Sequence, residues 1–158
     1  MTYTSGIFLN RRLILGGALG VWLLFAASFL MPVTGGMNGW EAFWMYVSEQ
    51  LDVPAFWREI QRKPLLVLTC TFSWTNATMF FAPIILWHWP RWSGLLGLLL
   101  VLGGLVPGMC FQEMVMKNEL SPGFYCWVGS IFLMAGVCFW DWRGYRRNVP
   151  APLTLAEP

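Results

Sequence analysis

Four long apolar runs constrain this chain more than any other feature of its sequence. They cover Leu13 to Val33, Pro64 to Trp87, about Ser93 to Gln112 and about Gly123 to Trp142. A hydrocarbon core about 30 Å thick needs roughly 20 residues of α-helix, because no backbone N–H or C=O in it can be left to solvent. Each run is long enough, and breakers separate them: Pro32 with Thr34-Gly35-Gly36, the Trp87–Trp92 segment, and Ser121-Pro122. The expected fold is therefore all-α, a polytopic four-helix transmembrane bundle in a single domain. Only 11% of residues are charged, against roughly 25% in an ordinary soluble domain.

The first run shares two features with a secretory signal, the Arg11-Arg12 start and the small residues Ala26, Ala27 and Ser28. Its apolar stretch outlasts the about 7–15 residues of a signal core, so it is expected to remain as a membrane helix. With four crossings, one side collects Arg11, Arg12, Arg91, Arg143, Arg146 and Arg147, and the other Arg58, Arg62, Lys63 and Lys117. The positive-inside rule then puts both termini, including a 143–158 tail, in the cytoplasm. Tryptophans favour the headgroup level, and they fall at the span ends: Trp87, Trp89, Trp92, Trp140 and Trp142 on one side, Trp40, Trp44 and Trp57 on the other.

The 38–62 connection is too polar to cross. Trp40, Phe43, Trp44, Val47 and Leu51 follow helical spacing, with Glu41, Glu49 and Asp52 turned away, which predicts an amphipathic helix. Asn38 and Glu41 have capping-box spacing, and Pro54 opens a second short helix carrying Phe56, Trp57 and Ile60. The segment either lies in the outer interface or forms a lid over the bundle ends.

Polar residues inside a membrane are costly unless paired, so they mark candidate sites. Thr69, Thr71, Ser73, Thr75, Asn76 and Thr78 crowd the second run, and Thr69, Ser73 and Asn76 form a candidate polar stripe. The stripe could bind a headgroup or line a solute or ion path. Alternatively, the hydroxyls bond their own helix and Asn76 bonds a neighbour. Gly16-x-x-x-Gly20 and Gly104-x-x-x-Gly108 are candidate close-packing surfaces, and Pro83 and Pro107 are sites of expected kinks.

Cys110 and Cys126 close adjoining spans near the outer side, with Cys70 deeper and Cys138 in the last run. Outward thiols on four helices are similar in architecture to the disulfide-generating quinone reductases of bacterial membranes. Those enzymes carry a cysteine pair separated by two residues, and this chain has no C-x-x-C. A Cys110–Cys126 disulfide or thiol–disulfide exchange stays open beside buried unreactive thiols. The lone His88 cannot supply a bis-histidine haem, and no H-E-x-x-H is present. Asp141 is expected to pair with Arg143 or Arg146. No metal or cofactor is expected. The small formal charge of +2 argues against nucleic acid as a partner.

Two stretches carry a family resemblance. Ser28-Phe29-Leu30-Met31-Pro32-Val33 leads to Gly39-Trp40-Glu41-Ala42-Phe43, and Gly123-Phe124-Tyr125-Cys126-Trp127 precedes Ser130-Ile131-Phe132. Together they resemble a loose group of uncharacterised small bacterial membrane proteins with four transmembrane helices. The resemblance implies a bacterial four-helix architecture and carries over no catalytic residue, and the membrane expected is the bacterial cytoplasmic (inner) one. The expected function is binding of lipids, of other membrane subunits or of a second copy, as an accessory subunit or immunity-type protein. Thiol–disulfide exchange and a solute path are the alternatives.

Overall fold

The structure, a computed structural model, describes residues 3–34, 36–62, 67–110 and 120–148. Within these residues the chain is mostly helical. Helix α1 spans Tyr3–Ser28, and a short antiparallel hairpin follows, β1 (Pro32–Thr34) with β2 (Met37–Asn38). Next come α2 (Gly39–Leu51), α3 (Val53–Arg62), α4 (Val67–His88), a 3-10 turn at Pro90–Trp92, α5 (Ser93–Cys110) and α6 (Pro122–Asn148).

Four of the helices close a ring in which α1 packs on α4, α4 on α5, α5 on α6, and α6 back on α1. The core between them holds Phe25, Met79, Leu86, Leu100, Ile131 and Met134, all essentially inaccessible. Two helices among the described residues are long and apolar enough to cross a membrane, Arg11–Ser28 and Pro122–Arg147; Pro90–Val106 is a shorter apolar helical stretch.

Helix α1 stops at Ser28, short of the expected Val33. Proline disfavours a helical conformation in the residue before it and offers no N–H. The chain accordingly leaves the helix through turns in which Phe29, Leu30 and Met31 donate to the carbonyls of Ala26, Ala27 and Ser28. Gly36 turns the hairpin with φ of +83°, a left-handed conformation that glycine adopts without cost. Helix α6 runs to Asn148, so the residues assigned to the start of a tail continue the last helix.

Helix α2 begins with the expected capping box. Asn38 Oδ1 accepts from the Glu41 N–H at 2.9 Å, and Glu41 Oε2 accepts from the Asn38 N–H at 3.0 Å. Two otherwise orphaned donors are satisfied reciprocally. Ala42 is buried and Phe43 meets Phe29 edge to face, while Trp40, Trp44 and Leu51 stay exposed, Trp40 with one side of its ring near Phe29. Trp40 and Trp44 stack at 6.5 Å between centroids. Helix α3 is strongly amphipathic, with Val53 and Trp57 also exposed. The side chains of Glu49, Phe56 and Glu59 lie outside the described residues.

Candidate functional site

The interior of the ring carries polar side chains at two levels. In the middle, Asn76 on α4 is fully buried, and its Oδ1 accepts a 2.8 Å hydrogen bond from Trp127 Nε1 on α6. The bond crosses the ring and ties together helices that share little other contact. Asn76 Nδ2, Ser73 Oγ and Trp22 Nε1 are also buried, with no hydrogen-bond partner among the described residues. Thr75, one residue from Asn76, fills the space left by Gly103 on α5, where a Cβ would fall onto Thr75 Oγ1. The remaining hydroxyls bond their own helices: Thr78 to the Trp74 carbonyl at 2.7 Å and Ser130 to the Trp127 carbonyl at 2.6 Å. Of the expected stripe, Asn76 is buried in the core and Ser73 is half-buried beside it. The side chains of Thr69 and Thr71 lie outside the described residues.

A second cluster joins the four helices at their basic end. Arg11 Nη2 on α1 donates to the Trp87 carbonyl at the end of α4, at 2.7 Å. Ser93, buried at the start of α5, donates to the Pro90 carbonyl at 2.6 Å beside the buried Asp141 carboxyl on α6, whose Oδ2 has no hydrogen-bond partner among the described residues. Arg11 is a nearby positive charge for Asp141, and among the described residues no ion pair joins Asp141 to an arginine. This corrects the expected pairing with Arg143 or Arg146. Residues two or five apart on a helix point to different faces, so Asp141 turns inward while the arginines remain exposed. Trp142 lies over Gly94, where a Cβ would approach its ring to 2.8 Å, and Arg146 stacks on the same indole at 4.7 Å.

The glycines divide by role. Gly104 faces Ile131 and Phe132 on α6 closely enough that a Cβ would come within 3.1 Å, whereas a Cβ at Gly16 or Gly20 would meet nothing within 4 Å. The close-packing surface expected at Gly16-x-x-x-Gly20 is thus unused within the described chain. The side chains of Pro107 and Cys110 and the surroundings of Gly108 lie outside the described residues, as does the side chain of Cys70. Cys126 and Cys138 are free thiols. Trp87, Trp89 and Trp140 are half or more exposed at the basic end, and Trp40 and Trp44 at the hairpin end. Among the described residues no group of three or more His, Cys, Asp or Glu side chains could hold a metal ion.

The Ser28–Val33, Gly39–Phe43 and Gly123–Trp127 stretches meet in space at the hairpin end. Gly39 lies so near Ser28 and Phe29 that a Cβ would come 2.7 Å from their backbone, and Gly123 similarly abuts the Pro32 carbonyl. The Ser121 N–H donates to the Val33 carbonyl at 2.9 Å, and Trp40 N–H to that of Phe29 at 2.9 Å. Compared with known proteins, the chain matches no family model, no curated sequence and no solved structure.

Proposed function

We propose that this chain is a four-span integral membrane protein of a bacterial inner membrane, with both termini cytoplasmic, which works by binding lipid or partner helices rather than by catalysis. The observation that carries the reading is the inversion of polarity across the ring. Asn76 and Ser93 are fully buried, while Leu19, Leu23, Leu98, Leu102 and Leu133 are about half exposed around its outside. A soluble protein could not hold so wide an apolar surface in water without aggregating. Only 17% of the Arg11–Ser28 window is buried, whereas the core helix of a soluble domain would be mostly covered.

The aromatic rims support the same reading, because the exposed indoles other than Trp74 gather at both ends of the ring, where headgroups would meet them. Helices α2 and α3 then form an interfacial cap, Ala42 and Phe43 on the bundle and Trp40, Trp44 and Trp57 toward lipid. The Asn76–Trp127 bond supports a packing role for the polar residues of α4, since its carbonyl oxygen is already taken by a neighbouring helix.

Gentle detergent extraction of the full chain, after an alkaline carbonate wash of the membranes, tests this proposal. The chain is expected to resist the wash and to purify with lipids or a membrane partner. Release by carbonate would overturn the membrane reading. A reductant-sensitive disulfide that cycles between oxidised and reduced forms in the native membrane would overturn the binding reading in favour of thiol exchange.

A further inference from the structure

Beyond the Asp141 cluster, the outer face of α6 carries Arg143, Arg146 and Arg147, and among the described residues no carboxylate pairs with any of them. Arg143 and Arg147 line two adjoining hollows of about 430 Å³ each, floored by Phe139 and bounded by Trp140 or Trp142. The second of these runs through Gly136 and Trp140 into an apolar groove of about 500 Å³ between α1 and α6, where Leu13, Gly17 and Leu133 form the walls. Both glycines leave real space, since a Cβ at Gly17 or Gly136 would meet nothing within 4 Å. A cationic mouth therefore opens directly onto an apolar channel.

We propose that this groove binds an anionic phospholipid, with its phosphate held by Arg143 and Arg147 and one acyl chain lying along Gly136 and Gly17. The inference rests on the membrane reading above, which sets the basic end at the cytoplasmic leaflet. Charge complementarity selects the headgroup: guanidinium groups bind phosphate oxygens in a bidentate fork, and basic pockets between membrane helices suit anionic lipids. Dimensions select a lipid over a partner helix. From Phe132 to Arg143 the axis of α6 rises about 16 Å, roughly one leaflet of a 30 Å core, whereas a partner helix would need a groove running the full depth. Trp140, 68% exposed where the cationic and apolar parts meet, occupies the level at which an indole is buried by acyl chain and wetted at its N–H.

The test is native mass spectrometry of the full chain from detergent, titrated separately with phosphatidylglycerol, phosphatidylcholine and inorganic phosphate, after the chain has been shown to insert into phosphatidylcholine vesicles. Wild type is expected to retain phosphatidylglycerol on the order of tenfold more tightly than phosphatidylcholine. Arg143→Gln with Arg147→Gln should erase that preference, and Arg143→Lys with Arg147→Lys should restore part of it. Gly136→Leu, whose Cβ would meet nothing within 4 Å, puts a side chain into the groove and should weaken retention of both lipids. Equal retention of the two lipids by wild type, or an unchanged preference in the glutamine variant, would overturn the proposal. Displacement of the lipid by inorganic phosphate at matched concentration would assign the arginines to a free anion and equally overturn it. Failure to insert into vesicles would instead sink the membrane reading on which the site rests.

Discussion

Replacing Gly123 with alanine is expected to destabilise the folded chain by roughly 1–3 kcal/mol, the cost of forcing an extra carbon into a filled site. The new Cβ would stand 2.5 Å from the Pro32 carbonyl oxygen and 2.8 Å from Met31 Cβ. A carbonyl oxygen cannot swing aside as a side-chain end can, and this one belongs to the hairpin that Ser121 anchors through the Val33 carbonyl. Relief would require the start of α6 to move away from β1. Gly129→Ala, two turns further along the same helix, is the matched control. Its Cβ would meet nothing within 4 Å, so the change should be neutral or stabilising by up to about 1 kcal/mol, from the entropy glycine no longer loses. Thermal unfolding of the two full-length variants in one detergent checks the pair: a clear loss is expected for Gly123→Ala and none for Gly129→Ala, and equal shifts would contradict the packing of β1 against α6.

The second large effect belongs to the bond across the ring. Asn76→Leu leaves the Trp127 indole N–H buried without its acceptor, and Trp127→Phe leaves Asn76 Oδ1 without its donor. Each single change is expected to cost roughly 1–3 kcal/mol, because an abandoned buried polar group bears the full desolvation penalty. The double variant, which removes both partners, should cost less than the sum of the singles. The difference isolates the interaction, and for helices within a membrane it should be about 0.6–2 kcal/mol. Additive losses in the unfolding free energies would mean that Asn76 and Trp127 do not interact.

How far these features could be read from the sequence depended on the distance over which their causes act. The capping box at Asn38 and Glu41 needs only residues three apart on one helix start, so spacing sufficed to find it. The start of α5 at Ser93, after Pro90, was legible for the same reason. The partner of Asn76 was not. Trp127 lies 51 residues away, and as one of several indoles near a helix end it was indistinguishable from an interfacial anchor.

Asp141 misled for a related reason, since nearby arginines in sequence suggested a pair that helical geometry forbids, while its actual neighbours, Ser93 and Arg11, come from two other helices. Small-residue spacing likewise could not tell Gly104, pressed against Ile131, from Gly16, which faces open space. The early end of α1 was foreshadowed by Pro32, whose effect on the residues before it outweighs the apolar run that continues through them. The convergence of Ser28–Val33, Gly39–Phe43 and Gly123–Trp127 could not be inferred from any one stretch alone, because approaches too close to admit a Cβ leave no mark in composition beyond the glycines themselves.

In the function proposed above, the chain crosses the membrane four times and returns both ends to one face. Single cysteines placed in a cysteine-free background at Trp44, Ser93 and Tyr145, with a fourth in the 151–158 segment, can be exposed to a membrane-impermeant maleimide in intact cells and again in inverted vesicles. Labelling of the Trp44 position only from outside, with the 151–158 and Tyr145 positions labelled only from inside and Ser93 protected from the outside reagent, is the predicted pattern. Access to the 151–158 cysteine from outside, or to the Trp44 cysteine from within, would contradict it.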